Sequence, residues 1–499
     1  MLTQYLILIL YFAILFVIGI IASKKINNLS DFYVGGKKLG FWVVAFSARA
    51  TGESAWLLLG LTGLGAIVGV SAFWVVVGEI VGEFVAWFWM AKRFKKQTDE
   101  FGSITIPDYL ASKFNAKSHL IRIISASALA IFVTIYVSAQ IDATGSAFES
   151  FLGWDYFIGA IVGFLIVLFY SYTGGFIAVA WSDVFQGIMM LIGLVVLPIV
   201  TFSYLNTPNI FTELSAIDPG LTNIWGIGGF TSMNLMTILS FGMIGLGFMG
   251  SPQLFVRFMS IKNEAEIDKG KWVAIVFTII TDCAAVLVGI FGRLYFEQIG
   301  ADISTLGNGG QNILPLLVEH IMPITIAGIY IAAVLSAIMS TIDSLLVVAS
   351  SAITRDFYQQ IFRPDLKNDP LIKTSRKVTL IIALAALGIA MTIASLTPDR
   401  TIFWFVIFGW SGISATFCPV IMLSLFWKKY TLQGAIASMI TGFFCVPIFK
   451  FLIPKIETIG PYFDKLTELP PSFLLAIIAG ILTTLITKKD DNSGKQFAV

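Results

Sequence analysis

The stretch from Ser47 to Gly60, SARATGESAWLLLG, constrains this chain most, because it sets charges and hydroxyls inside an apolar run that extends over residues 41–69. A run of that length spans a bilayer as a helix. A charge at mid-bilayer costs about 2.5–3.5 kcal/mol even on the mild insertion scale, so Arg49 and Glu53 have to face protein or a water-filled space. Gly52 has no Cβ, and Thr51 and Ser54 carry hydroxyls that can re-satisfy freed backbone groups. The helix is therefore expected to open near Gly52. Arg49 and Glu53, at i and i+4, are also placed to pair on one face. A membrane helix broken at mid-depth is the form taken at the binding sites of secondary transporters.

The rest of the chain agrees with a membrane setting. Hydrophobic residues make up 57% of the 499 positions and charged residues 12%, the composition of a polytopic membrane protein. Apolar runs long enough to span lie near 3–23, 41–69, 71–91, 121–151, 156–173, 178–203, 232–257, 272–296, 312–353, 376–397, 402–427, 431–453 and 471–487. The expected fold is all-α, with about 13 transmembrane helices in one domain over residues 1–487 and a short polar tail over 488–499. The 312–353 run has room for a short extra helix before its span. The first run lacks a basic leader and a small-residue cleavage pattern, and is expected to be a retained span.

Basic residues set the orientation. Lys24, Lys25, Lys37, Lys38, Lys92, Arg93, Lys95, Lys96, Arg257, Lys262, Lys269, Lys271, Arg355, Arg363, Lys367, Lys373, Arg376, Lys377, Lys428, Lys429, Lys488 and Lys489 alternate onto one side, while the other keeps Arg293, Arg400, Lys455 and Lys465. This predicts an inner- or plasma-membrane protein with its N-terminus outside and its C-terminus cytoplasmic. A net charge of +2 argues against nucleic acid as a partner, and Cys283, Cys418 and Cys445 lie in apolar runs without ligand spacing. No feature calls for an organic cofactor or an obligate protein partner; a small solute, cations and lipid are the expected partners.

A second candidate site is the octapeptide from Ala337 to Ser344, AIMSTIDS. On a helix, positions 337, 340, 341 and 344 share one face, which gathers three hydroxyls beside a small residue. Hard oxygen donors of that kind suit a small alkali cation, and Asp343 in the same turn adds a negative charge or a proton carrier. A Ser/Thr face also serves close helix packing. Further carboxylates fall inside apolar runs: Glu79 and Glu83 at i and i+4, Asp142, Asp183 and Asp282. Asp183 fits a helix cap as well as a functional role. Gly242, Gly245, Gly247 and Gly250, followed by Ser251 and Pro252, mark a second discontinuous helix, with Phe248 as a wall for an apolar part of a substrate. Tyr136 brings one more hydroxyl to the interior.

These residues resemble a known family. The segments Asp31–Gly36 (DFYVGG), Ser54–Gly60 (SAWLLLG), Ile106–Tyr109 (IPDY), Gly175–Asp183 (GFIAVAWSD), Arg257–Met259 (RFM), Met339–Thr341 (MST) and Ser350–Thr354 (SSAIT) resemble the sodium/solute symporter family, in particular its sodium/proline symporter branch, in register over about residues 30–440. The resemblance implies a LeuT-type fold of two inverted five-helix repeats, with the first and sixth core helices broken. It implies a sodium site made by the backbone carbonyls of Ala50 and Glu53 with Ala337, Ser340 and Thr341. It puts Ser54 at a position tied to sodium and substrate coupling, and Asp183, Asp343 and Ser344 where some relatives hold a second sodium. Trp56, Tyr136, Ile244, Phe248 and Pro252 then fall in the expected substrate cavity.

The chain also departs from that branch. Gly52 stands where proline symporters carry Asp, Arg49, Glu53, Asp142 and Asp343 stand where they are uncharged, and Ile244 and Phe248 replace Trp and Tyr. Arg49 is accordingly expected to hold either an acid or a substrate carboxylate. The functional expectation is a sodium-coupled importer of proline or a related amino acid, with sodium- or proton-coupled uptake of another carboxylate-bearing nutrient as the alternative. A membrane sensor would call for a signalling module, and an intramembrane enzyme for more than the separated His119 and His320.

Overall fold

The computed structural model describes residues 2–207, 209–366 and 368–487. The tail at 488–499, with Lys488 and Lys489, and Lys367 lie outside them. The described chain is helical. Helix α1 (Leu2–Ser23) buries Leu8, Tyr11, Leu15, Gly19 and Ala22 and turns Leu6, Ile9, Leu10 and Val17 outward. Its buried positions recur every three or four residues, the stripe of a helix with one face on protein and the other available to lipid.

The first break falls two residues beyond the expected place. Helix α2 (Phe41–Ala55) departs from helical geometry at Ser54, with φ 32° and ψ −166°. A wide turn over Trp56–Leu61 leads into α3 (Thr62–Val68), and after the turn Gly69–Ala72 comes α4 (Phe73–Val85). Gly52 serves another purpose: a Cβ there would stand 3.0 Å from the Phe248 ring. Helices α5 (Leu120–Leu152) and α6 (Tyr156–Tyr204) follow. Helix α6 breaks at Gly175, with φ 53° and ψ −161°. A side chain is excluded there, because a Cβ would lie 2.7 Å from a Phe32 ring carbon and 2.9 Å from the Phe32 carbonyl oxygen.

The second break is where the glycines and proline place it. Helix α7 (Ser232–Met243) passes into a tight turn over Ile244–Met249, Gly250 takes φ 153°, and α8 (Pro252–Ser260) starts on its proline. Proline at the first helical position removes a donor that would have no partner anyway. Helices α9 (Glu264–Gln298), α10 (Ile313–Ile321), α11 (Ile324–Ser351), α12 (Asn368–Leu396), α13 (Ile402–Phe426), α14 (Leu432–Phe451) and α15 (Leu469–Ile486) complete the bundle. The 312–353 run thus resolves into the short α10 and the span α11.

Eleven helices among the described residues are long and apolar enough to cross a membrane. One of the eleven is the path Phe41–Glu100, which contains the turn at Gly69, and Tyr156–Phe169 is a shorter apolar helix. The thirteen runs of the sequence are therefore not matched one for one. Burial identifies the axis: the apolar window of the α11 segment is 100% buried, against 22% for that of α14. Packed on α11 are α2, α5 and α6. The start of α2 and the end of α8 are joined by a short bridge, Leu39 N–H to the Ser260 carbonyl (3.1 Å) and Lys262 N–H to the Leu39 carbonyl (2.9 Å). The two broken helices consequently leave that junction in opposite chain directions.

Glycines bring α4 against the second break. A Cβ on Gly78 would strike the Gly242 carbonyl, and one on Gly245 would strike that of Gly78. Alanine gains about 1 kcal/mol of helix propensity over glycine, whereas overpacking costs about 1–3 kcal/mol. Gly78→Ala is expected to lower the thermal unfolding temperature of the detergent-solubilised protein; a rise would show that the helices are not in contact there.

Candidate functional site

The oxygens expected to bind an ion converge. Ser340 Oγ lies 2.9 Å from the Ala50 carbonyl oxygen and 3.1 Å from that of Ala337; Thr341 Oγ1 lies 3.1 Å from the carbonyls of Thr51 and Ala337. The break at Ser54 turns the Ala55 N–H to Gln140 and so away from the Thr51 carbonyl, and the 337/340/341 face of α11 meets the carbonyls of Ala50 and Thr51. Glu53 departs from the expectation: its carbonyl accepts the N–H of Trp56, and Thr51 supplies the second α2 carbonyl instead. The five oxygens are all hard donors, so the set fits a small alkali cation.

The second expected ion position is filled by the protein itself. Arg257, counted with the basic residues of the cytoplasmic side, is fully buried. Its guanidinium sits 3.0 Å from Asp183 Oδ2, donates to Thr51 Oγ1 (2.6 Å) and Ser344 Oγ (2.5 Å), and its Nε donates to Ser47 Oγ (3.0 Å). Asp183 also accepts from Ser47 (2.5 Å), so it is the counter-ion of a fixed cation and not a helix cap. Asp343 is buried in the turn beside Ser344. A guanidinium thus stands between Asp183 and Ser344, where relatives were expected to hold a second sodium. The clue missed in the sequence is Pro252: a helix starting there carries Arg257 inward on its second turn.

Around Ser54 the expected substrate residues form a closed wall. The hydroxyl of Tyr136 and the amide of Gln140 both reach Ser54 Oγ at 3.4 Å, and Gln140 Oε1 accepts the Ala55 N–H at 3.1 Å. Trp56 donates its indole N–H to the Gly52 carbonyl, 3.0 Å away across the break. Phe248 packs on Trp410 with ring centroids 5.0 Å apart, and Trp410 donates to the Ile244 carbonyl (3.0 Å). Pro252 opens α8 beneath them. Ser54, Trp56, Tyr136, Ile244, Phe248 and Pro252 are all buried. Sequence reasoning missed Gln140 and Trp410. A buried amide beside Tyr136 on α5 was the available signal for Gln140, and nothing local distinguished Trp410 from the chain's other tryptophans.

Arg49 is turned to three acids. Nη2 bonds Glu53 and Glu79, each at 2.8 Å, and Nη1 bonds Glu83 at 2.5 Å, while the Phe248 ring covers the guanidinium at 5.3 Å. The i,i+4 pairing with Glu53 is present. Glu53 and the two α4 acids take up Nη1 and Nη2, while Nε has no hydrogen-bond partner among the described residues. Asp142, the other acid considered for Arg49, pairs with Arg400 and Tyr156 instead.

The family model described as the sodium:solute symporter family matches residues 32–442. The high-affinity proline transporter PutP of Bacillus subtilis is 34% identical over 473 residues, covering 94% of this chain and 95% of that protein. The osmoregulated proline transporter OpuE of the same organism is 34% identical over 96% of this chain and 94% of its own length. A sodium/proline symporter of Staphylococcus aureus is 32% identical, over 97% of this chain and 93% of its own length. Among solved structures, a Na+-coupled sialic acid symporter superposes with a TM-score of 0.79 at 18% identity, covering 97% of this chain and 98% of that one. The nucleobase-cation symporter Mhp1 gives 0.53 at 13% identity over 94% of this chain and 98% of its own.

Proposed function

The chain belongs to the sodium:solute symporter family, and from that premise we propose that it is a sodium-coupled symporter importing proline or a closely related small amino acid. The observation that carries this reading is the meeting of the α2 carbonyls of Ala50 and Thr51, just before the break at Ser54, with Ala337, Ser340 and Thr341 on α11. Sodium bound there would stiffen the broken helix. The substrate would lie against Ser54, Tyr136, Gln140, Phe248 and Trp410, its carboxylate held by backbone donors of the breaks and its ring against the aromatics. Binding of each ligand would favour the state that binds the other, and the core would rock about the fixed site.

The orientation in this reading is N-terminus outside, with the basic end of the bundle in the cytoplasm. Support comes from the ties among basic loops at one end: Lys37 reaches the Thr98 carbonyl (2.9 Å), and Lys92 pairs with Asp268 (2.6 Å). One sodium carried in with a zwitterion moves one net charge, worth about 2.3 kcal/mol per 100 mV before the sodium gradient is added.

Phe248 and Ile244, which offer hydrocarbon where the resemblance expects hydrogen-bonding aromatics, favour a second substrate reading, a more apolar carboxylate-bearing solute. Thermal unfolding of the purified protein in sodium or potassium, with proline or with larger apolar amino acids, separates the two. Proline is expected to stabilise only with sodium. Stabilisation by a bulkier solute and none by proline would move the substrate but keep the symporter. In the same assay Gln140→Leu strips the Ala55 N–H of its acceptor, at a cost of about 1–3 kcal/mol. It is expected to weaken proline stabilisation about tenfold or more in concentration; an unchanged response would remove Gln140 from the site.

A further inference from the structure

Arg49 is surrounded by more negative charge than it can neutralise. Glu53 and Glu79 meet Nη2, Glu83 meets Nη1, and Asp282 of α9 lies within hydrogen-bond reach of Glu79. One guanidinium against these four carboxylates leaves an excess of three negative charges if all ionise. Glu53, Glu79 and Asp282 are 0% exposed and Glu83 is 2% exposed. Among the described residues no cation stands within ion-pair distance of Asp282: Arg49 is spent on the three glutamates. Among the described residues, the one donor to Asp282 is the neighbouring Thr281 hydroxyl, 3.3 Å from Oδ1, whereas Oδ2 has none there, and neither has Glu79 Oε2.

An unpaired carboxylate in a dry interior costs several kcal/mol, and such groups take a proton instead. Ionised carboxylates carry no donor, and the cation here reaches Glu79 but not Asp282, so the contact between these two carboxyls calls for a proton shared between them. A metal ion would be the other remedy, but among the described residues no group of three His, Cys, Asp or Glu is spaced to hold one. The groups facing the pair are Arg49 and Glu53 from α2, Glu83 from α4 and, beyond Ser54, the Tyr136 hydroxyl from α5. Thr281 bonds Glu53 at 2.7 Å and closes the α9 side.

We propose that Glu79 and Asp282 form a proton-binding site within the bundle, separate from the sodium site, and that its occupancy is linked to sodium through α2. Arg49, which Glu79 grips, adjoins Ala50, whose carbonyl belongs to the sodium site. A proton on the pair and a sodium ion at Ala50 repel, so each weakens the other reciprocally. The linkage rests on the sodium reading given above; occupancy by the proton does not.

Infrared spectroscopy of the purified full-length protein tests this through the carbonyl stretch that only a protonated carboxyl gives. The wild type at neutral pH is expected to show a buried carboxylic-acid band that is absent in Asp282→Asn, whose amide can donate to Glu79 in place of the proton, and in Glu79→Gln. Sodium is expected to reduce the band and to shift its titration to lower pH. The same acid band in all three proteins would overturn the site. If the variants fail to fold, the wild type alone decides, since no acid band at neutral pH also overturns it. Loss of the band in both variants with no response to sodium, in protein that sodium stabilises thermally, would overturn the linkage; absence of that stabilisation would instead count against the sodium reading.

Discussion

Replacing Ser340 and Thr341 together with alanine is expected to abolish sodium-dependent stabilisation and sodium-driven uptake while leaving a folded protein. The two hydroxyls supply two of the five oxygens that converge between α2 and α11. A hydrogen bond or ligand contact to a charged group contributes about 1.5–3 kcal/mol, and each 1.4 kcal/mol is about tenfold in affinity. Ser340→Ala alone should therefore raise the half-saturating sodium concentration at least about tenfold, and the double variant should push it beyond reach. The fold should survive, because the carbonyls of Ala50 and Thr51 lose only a neutral partner, at about 1 kcal/mol each. Sodium titration by thermal unfolding gives the answer. Unchanged sodium response in the double variant would place the ion elsewhere.

The second large effect is expected at Arg257. Arg257→Gln leaves Asp183 buried beside Ser47 with its cation gone, and takes the guanidinium from Thr51 and Ser344. Removing one member of a buried pair costs about 3–5 kcal/mol, most of it from the charge left behind. That loss should show as poor membrane yield or a sharply lowered unfolding temperature. Arg257→Gln combined with Asp183→Asn removes both charges and should recover much of the stability. The coupling between the two substitutions, read as a double-mutant cycle, is expected to be large. Additive losses would mean that the two side chains act independently.

Much of this was legible from residue chemistry. Polar groups in an apolar run told of a broken helix, and the glycines before Pro252 told of a second, because backbone freed inside a membrane has few ways to be satisfied. The 337/340/341 face follows from helical periodicity, and so does the Arg49–Glu53 pair. The exact place of the first opening was not legible. Gly52 looks like the flexible residue, yet its missing Cβ makes room for Phe248, and the strained conformation falls on Ser54, held by Tyr136 and Gln140 from another helix. Arg257 was misplaced because counting basic residues by loop treats all of them alike, while a buried counter-ion 74 positions away in sequence decides its fate. The partners of Arg49 on α4 could be suspected from the i,i+4 spacing of Glu79 and Glu83, but which acid meets it depends on how α2, α4 and α9 pack.

The central claim, that sodium bound between α2 and α11 drives solute entry, is tested most directly by uptake of labelled proline into proteoliposomes. The protein is reconstituted and given an inward sodium gradient, with an inside-negative potential as a second driving force. Accumulation above the outside concentration is expected with sodium, faster with the potential imposed, and lost when potassium replaces sodium or when Ser340→Ala/Thr341→Ala replaces the wild type. Accumulation that persists without sodium under a proton gradient, and is untouched by the double substitution, would contradict it.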